Sequence, residues 1–146
     1  MSVTVHLRPA SSSDVPGLIA FLKANSLPTV GVESCYENFV VATNEKGKWI
    51  GVAGLEVYNQ NALLRSVAVR EEYRGFGHGG VLVDEVLKNA KREGVRVVYL
   101  LSETADGYFR RLGFDLVDRN DVDESVKASQ EFTECCKTAK VMRKSI

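Results

Sequence analysis

Apolar residues recur along this chain with two periods, and the shorter period predicts β-strands. Near the start, Val3, Val5 and Leu7 alternate with polar residues up to Pro9. A later run, Val95–Leu101, is apolar almost throughout, which is typical of a central strand buried on both faces. The remaining predicted strands are 39–42, 49–55, 62–69, 114–117 and 139–143.

The longer period, with apolar residues three and four positions apart, predicts helices. The longest helix runs from about Gly79 to Glu93 and stops at Gly94. An earlier helix follows the capping serines 11–13 and ends before Pro28, where a short helical or irregular stretch begins. Two further helices are predicted over 104–112 and 121–134.

The connections between these elements predict the topology. Turns at residues 44–47 and 59–61 make the second, third and fourth strands antiparallel neighbours. The long helix between the fourth and fifth strands makes those two strands parallel. We therefore expect an α/β fold in the order β-α-(α)-β-β-β-α-β-α-β-α-β, with helices on both faces of a mixed sheet. The 146 residues suit a single domain, 1–146.

The composition is ordinary for a globular protein, with 45% hydrophobic and 26% charged residues. A formal net charge of +0 argues against a nucleic-acid partner held by a basic surface. No signal peptide or run of about 20 apolar residues is evident, so no membrane partner is expected. Cys35, Cys135 and Cys136 lack metal-ligand spacing and favour a reducing, cytoplasmic location. The adjacent Cys135 and Cys136 are either incidental thiols or a soft-metal or arsenical site.

A glycine-rich turn joins the fourth strand to the long helix. It holds four glycines, Gly75, Gly77, Gly79 and Gly80. Glycines let backbone N–H groups converge on a ligand and permit positive φ, while the helix start adds unpaired amides and a positive dipole end. The turn therefore indicates a phosphate or pyrophosphate site, to which Arg74 adds a charge; a flexible connection is the alternative. The P-loop and dinucleotide-binding glycine spacings are both missing.

Two segments resemble signatures of the GNAT superfamily of N-acetyltransferases. Residues 74–79 are similar to its [Gln/Arg]-x-x-Gly-x-[Gly/Ala] signature, and residues 105–114 to its Ala-x-x-Phe-Tyr-x-x-Leu-Gly-Phe signature. The segments lie in the family's order, and with Leu7–Ala10 the resemblance covers essentially the whole chain. It implies a mostly antiparallel sheet in which the parallel fourth and fifth strands splay apart.

The resemblance also implies acetyl-CoA as the co-substrate, with no metal. The pyrophosphate would lie on the glycine turn and the acyl arm between the splayed strands. The thioester would lie near Leu101–Glu103, where backbone N–H groups could stabilise the developing oxyanion during direct attack by an amine. The implied cofactor-binding residues are Val67, Ala68, Val69, Arg74, Gly75, Phe76, Gly77, His78, Gly79, Gly80 and Phe109.

The chain departs from the second signature at the position where many members carry a tyrosine that protonates the departing thiolate. Phe109 stands there, and Tyr108 matches the family's phenylalanine. Tyr108 is therefore a candidate general acid, with an aromatic wall residue as the alternative. Because a thiol has a pKa of about 8.5, its thiolate is a fair leaving group that water can protonate.

The acceptor amine must lose a proton before it attacks, so a base is expected. The candidate carboxylates are Glu33, Glu56 at the end of the third strand and Glu103 after the fifth, of which Glu103 and Glu56 are the predicted catalytic residues; a solvated surface position is the alternative for each. Glu33 and Ser102 are candidate acceptor-binding residues.

Arg65 lies inside the apolar fourth strand. A buried arginine is costly unless it is paired or lines a cleft, and strand alternation places it on the face of Leu63 and Val67. We predict that it binds an acceptor carboxylate. An internal salt bridge to Glu56 is the alternative.

Several segments resemble the arsenic-resistance branch of the superfamily, which is similar to amino-acid N-acetyltransferases. They are 63–69, 99–101, 131–132 and 141–144. This resemblance implies a small-molecule acceptor, an amino acid or an arsinothricin- or phosphinothricin-like analogue. The alternatives are another amine class (a protein N-terminus, polyamine or aminoglycoside) and a non-catalytic acyl-CoA-sensing module. The family also implies a possible homodimer.

Overall fold

One mixed sheet of seven strands forms in the computed structural model, which describes residues 4–134 and 138–146. The strands are β1 (His6–Pro9), β2 (Val40–Thr43), β3 (Trp49–Tyr58), β4 (Asn61–Val69), β5 (Val97–Ser102), β6 (Asp115–Val117) and β7 (Lys140–Ser145). Their order across the sheet is β1-β2-β3-β4-β5-β7-β6. Neighbours are antiparallel except β4 and β5, which are parallel as predicted.

Helices cover both faces of this sheet, which confirms the predicted fold class. They are α1 (Val15–Ala24), α2 (Val32–Cys35), α3 (His78–Arg92), α4 (Asp106–Arg111), α5 (Glu124–Lys127) and α6 (Gln130–Glu134). Helix α3 and, through Phe109, helix α4 pack on one face together with Leu112, called here the α3 face. The other four helices pack on the opposite face, called the α1 face.

The long helix forms where its apolar spacing predicts. Its inward side carries five buried residues: Leu82, Val83, Val86, Leu87 and Ala90. They join one core cluster with Ile50, Leu64 and Leu100 of the sheet. On the α1 face, Gly54 leaves room for the fully buried Phe39, since a Cβ at that position would overlap its ring.

A β-bulge interrupts β4 where it leaves β5. Val52 lies opposite Ala68 and Gly54 opposite Arg65, so Ser66 and Val67 together face the single residue Ala53. The parallel pairing with β5 ends one residue before Arg65, at Leu64 opposite Leu100. Beyond that point the two strands separate, which is the predicted splay.

The bulge also corrects one prediction. Up to the bulge, Leu64 faces α3 and Leu63 faces the opposite side; beyond it, Val67 packs on the α3 face and Ala68 on the α1 face. The expectation that Val67 shares a face with Arg65 was therefore wrong. One extra residue in a strand reverses the alternation of every side chain that follows.

The predicted helix over 121–134 is also wrong in one respect, because it forms two short helices. The Asp123 carboxylate caps α5 by accepting from the Ser125 amide, at 3.0 Å. The chain then turns at Ser129, a buried residue whose hydroxyl bonds a carboxylate on β3 instead of continuing a helix face. Cys135 and Cys136, with Val3 of the first predicted strand, lie outside the described residues.

Candidate active site

Two adjoining clefts lie where β4 and β5 separate. The first, called the loop cleft, has a volume of about 460 Å³ and is lined by the end of β4, the glycine turn and Tyr108. The second, called the strand cleft, measures about 280 Å³ and lies between the separated strands. Val67 and Ala105 line both, so together the clefts form a continuous path from the glycine turn to the end of β5.

The glycine turn is an open backbone cradle. Gly75 and Gly77 have φ angles of +86° and +85°, in the left-handed region that favours glycine. A Cβ at either position would meet no other atom within 4 Å, so ligand atoms can approach the main chain there. Helix α3, 15 residues long, begins directly after Gly77, so its unpaired first amides add positive potential to the same cleft.

His78 lines the loop cleft beside this cradle. Its Nε2 atom is buried and has no hydrogen-bond partner among the described residues. Its ring lies 6.3 Å, centroid to centroid, from each of Tyr73 and Phe76. Because a buried polar atom without a partner is costly, an acceptor or donor on a bound ligand would complete this site.

The remaining turn residues have individual surroundings. Arg74 donates from Nε to the Val69 carbonyl at 2.9 Å and from a terminal nitrogen to Asn25 at 3.1 Å, so it ties the turn to β4 and the end of α1. Phe76 is 59% exposed and is not among the residues that line the loop cleft. A Cβ at Gly80 would lie 3.6 Å from the Leu112 side chain.

The two aromatics of the second signature point to different clefts. Phe109 lines the strand cleft, whereas Tyr108 lines the loop cleft, where its hydroxyl lies 2.5 Å from where a Gly79 Cβ would be. Burial raises the pKa of the Tyr108 hydroxyl above its ordinary value of 10.0, so the phenol is protonated at neutral pH.

Ser102 and Glu103 lie together at the end of β5, on the wall of the strand cleft. The Ser102 hydroxyl is buried and accepts a hydrogen bond from the Ala105 amide at 2.9 Å, which shapes the turn into α4. Glu103 is exposed, and its carboxylate accepts from the Thr138 hydroxyl at 3.2 Å. The Glu103 carboxylate, which can accept a proton, therefore lies at the solvent-exposed edge of the strand cleft.

Arg65 forms the internal salt bridge that the sequence left open as the alternative. Its side chain is 0% exposed, and a terminal guanidinium nitrogen lies 2.8 Å from Glu56 Oε2. The guanidinium also donates to the Val30 carbonyl at 2.5 Å, to the Pro28 carbonyl at 3.2 Å and to Ser66 Oγ at 2.9 Å. These guanidinium N–H groups therefore bind groups of the same chain instead of an acceptor carboxylate.

Glu56 is the centre of this network and accepts three hydrogen bonds. Its Oε1 accepts from the Tyr58 hydroxyl at 2.5 Å and from the Ser129 hydroxyl at 2.6 Å, while Oε2 accepts from Arg65. Burial, with the bond to Glu56, raises the pKa of Tyr58 to about 12. These bonds make Glu56 a structural link between β3, β4 and the turn before α6.

The structure separates the remaining candidate from the clefts. Glu33 is exposed on α2, outside the residues that line either cleft. Tyr58, Ser66 and Ser129 were not predicted: Ser129 reaches Glu56 from 73 residues away, and Tyr58 and Ser66 bond residues two and one positions away without any local motif. Within the described residues no group of three or more His, Cys, Asp or Glu could hold a metal ion, and no helix is long and apolar enough to cross a membrane.

Comparison with known families agrees with this arrangement. The profile described as the acetyltransferase (GNAT) domain matches residues 35–116, more than half of the chain. This match confirms the family that the two signatures predicted, so the chain belongs to it. The acceptor, the cytoplasmic location, the homodimer and the roles of single residues are not tested by it and stay predictions.

Curated relatives match much of the chain. Two proteins named amino-acid acetyltransferase, from Pasteurella multocida and Aeromonas salmonicida, are 26% identical over 124 residues and 27% identical over 123 residues. The matches cover 80% and 79% of this chain but 28% of each relative. This chain therefore spans less than a third of the length of those proteins.

Solved structures share the fold. N-acetylglutamate synthase from Neisseria gonorrhoeae, complexed with coenzyme A and N-acetyl-glutamate, superimposes with a TM-score of 0.83 at 18% identity, over 99% of this chain and 36% of that one. Rv2747 from Mycobacterium tuberculosis, in complex with CoA, gives 0.80 at 22% identity, over 97% of this chain and 99% of that one. At such identities the likeness shows the fold alone.

Proposed function

The chain belongs to the GNAT acetyltransferase family, and from this premise we propose that it transfers the acetyl group of acetyl-CoA to the amine of a small amino acid or amino-acid analogue. The observation that carries the proposal is the open cradle at Gly75 and Gly77, which continues into the cleft between separated strands. Together they fit a long molecule with an anionic end and an apolar arm.

The donor site is argued from the chain's own groups. The backbone amides after Gly77 would bind a pyrophosphate, and the unpaired His78 Nε2 would gain a partner there. The arm would lie along Val67, where β4 has no partner on β5. Acetyl-CoA, when bound, supplies an acyl carbon activated as a thioester.

The acceptor class is supported by the relatives. Proteins named amino-acid acetyltransferase match about four-fifths of this chain, and N-acetylglutamate synthase shares its fold. An arsinothricin- or phosphinothricin-like analogue is included in the proposed acceptor class because it presents the same α-amine.

Glu103 is proposed as the general base. The acceptor arrives as an ammonium and needs a lone pair, and the Glu103 carboxylate is exposed at the mouth of the strand cleft. Glu56 is a poorer base, because accepting a proton would remove the negative charge that pairs with the buried Arg65. The amine nitrogen forms the new bond to the acyl carbon, the carbon–sulfur bond breaks, and the thiolate leaves.

The leaving thiolate does not require a side-chain acid. Phe109 occupies the strand cleft at the position of the family's tyrosine and can only exclude water there. Tyr108 lies against Gly79 in the loop cleft, on the side of the glycine turn. We therefore assign Tyr108 to binding the donor, and solvent to protonating the thiolate.

The test is a thiol-release assay with acetyl-CoA and a panel of amines. The panel holds amino acids, their arsenical and phosphinic analogues, a polyamine, an aminoglycoside and a peptide N-terminus. We expect release with members of the first two groups, and a loss of kcat of about 100-fold or more in Glu103→Gln at neutral pH. Glu93→Gln, on the exposed end of α3, is the matched control. Release with the polyamine or peptide alone, or with no amine, contradicts the proposal.

A further inference from the structure

Ser66 holds a strained backbone inside β4. Its φ angle is +60°, and it is one of three non-glycine residues with positive φ among the described residues. The other two, Ser26 and Asn59, lie in turns, whereas Ser66 lies within a strand. Serine rarely adopts this conformation, so the surrounding structure must hold it in place.

Arg65 provides the contacts that hold it. Its Nε donates to Ser66 Oγ at 2.9 Å while the rest of the same planar guanidinium is fixed by Glu56. A guanidinium cannot change the angle between its N–H bonds, so anchoring one end fixes the direction of the other. The side chain is 0% exposed, so water cannot replace these bonds readily.

The same guanidinium also holds the opposite wall of the strand cleft. It donates to the carbonyls of Pro28 and Val30 in the segment between α1 and α2. Pro28 and Leu27 line the strand cleft together with Ser66 and Val67. One buried side chain thus sets the distance between the β4 bulge and the wall that faces it.

The bulge takes Ser66 and Val67 out of register with both neighbouring strands. Neither the register with β3 nor that with β5 assigns a Cα partner to Ser66 or Val67, within the described part of the chain. Both residues line the strand cleft. A change in the Ser66 conformation would therefore redirect the main chain of Val67 inside the cleft.

We propose that Arg65 is a positioning residue: it locks the bulge at Ser66 to the segment 28–30 and thereby aligns the Val67 backbone with the reacting acyl group. The role rests on the proposed acetyl transfer, and it needs no contact between Arg65 and the acceptor. It predicts that breaking the lock lowers turnover more than it weakens binding of CoA, because the glycine turn keeps its own geometry.

The first experiment compares variants at position 66. Ser66→Ala removes the oxygen that Arg65 holds but keeps the strained φ, so we expect kcat to fall by about 10- to 100-fold. Ser66→Gly also removes the oxygen, but glycine adopts positive φ unaided, so kcat stays within about threefold of wild type. Equal losses in the two variants would show that the hydroxyl acts in another way and would overturn the lock.

The second experiment is a double-mutant cycle with Arg65→Lys, which retains the charge beside Glu56 but loses the rigid fork. Arg65→Lys and Ser66→Ala break the same bond, so the double variant should lose no more kcat than the worse single variant. Losses that multiply contradict the proposal. Arg8→Lys, in the exposed pair with Asp14, is the control and should keep full activity.

Two measurements distinguish the positioning role of Arg65 from the proposed acetyl transfer and from an ion pair that only stabilises the fold. The Kd of CoA should stay within about twofold of wild type in all position-66 variants. The ¹H–¹⁵N resonance of the Val67 amide should shift in Ser66→Ala and return towards wild type in Ser66→Gly. An unchanged Val67 resonance overturns the lock whether or not an acceptor is found; absent thiol release in wild type overturns the proposed function alone.

Discussion

The glycine cradle can be tested with a pair of substitutions that share one backbone change and differ only in location. Gly77 lies at the start of α3 with φ of +85°, and Gly47 lies in the turn between β2 and β3 with φ of +80°. A Cβ at either position would meet no other atom within 4 Å. Gly77→Ala and Gly47→Ala therefore impose the same strain without a steric clash.

The expected loss of stability is the same for both variants. Placing an L-residue in the left-handed region costs about 1–2 kcal/mol, which lowers Tm by roughly 3–8 °C for a chain of this size. Neither loss unfolds a protein with an ordinary stability of about 5–15 kcal/mol. The fold of both variants is therefore expected to remain intact at room temperature.

The expected loss of CoA affinity differs between them. At Gly77 the added methyl group stands where a phosphate oxygen must approach the first amides of α3, so about one charge-assisted hydrogen bond is lost. That bond is worth about 1.5–3 kcal/mol, which corresponds to a roughly 10- to 150-fold rise in the Kd of CoA. At Gly47, outside both clefts, the Kd should not change.

Isothermal titration of CoA measures the Kd, and thermal unfolding without ligand measures Tm. A role of Gly77 in CoA binding is refuted if Gly77→Ala binds CoA within about twofold of wild type. It is also refuted if Gly47→Ala loses affinity to the same extent, because the effect would then come from strain alone.

Three further predictions concern the core, the leaving group and acid stability. Gly54→Ala should lower the free energy of unfolding by about 1–3 kcal/mol in urea, because its Cβ would overlap the buried Phe39 ring, whereas Gly107→Ala, with open space around it, should not. Tyr108→Phe should leave kcat within about threefold; a loss above about 100-fold with unchanged CoA affinity would make Tyr108 the general acid. Arg8 lowers the pKa of Asp14 from 3.8 to about 2, so Asp14 stabilises the fold above its ordinary pKa and loses that effect as pH falls through about 2. Asp14→Asn should therefore be less stable than wild type at neutral pH, with the difference in urea stability disappearing towards about pH 2.

Most elements and the glycine cradle could be predicted from local signals. The apolar face of α3, the turns between β2, β3 and β4, and the glycines at 75 and 77 each act through neighbours in the sequence. The predicted helix over 121–134 failed because its break depends on Ser129, whose partner Glu56 is 73 residues away. A serine within a polar helix pattern gives no sign of a tertiary hydrogen bond.

The β4 bulge was equally invisible in the sequence. Residues 62–69 form an apolar run interrupted by Arg65 and Ser66, and nothing in it marks Ser66 for a positive φ, which glycine or asparagine would have suggested. The conformation is imposed by contacts with Arg65 and by the register with β3. Missing the bulge placed Val67 on the wrong face, although the cleft it lines was expected.

The position of Arg65 limits how this chain can recognise an acceptor. A buried guanidinium must be saturated, and its partners here come from the neighbouring strand and from carbonyls 35 and 37 residues away. If an acceptor carboxylate took one of these donors, Glu56 or a carbonyl would be left buried without its partner, and that cost would offset much of the gained ion pair. Discrimination among acceptors is therefore expected to depend on the shape of the strand cleft, which Arg65 lines, and on main-chain groups whose positions Arg65 fixes through Ser66 and Pro28.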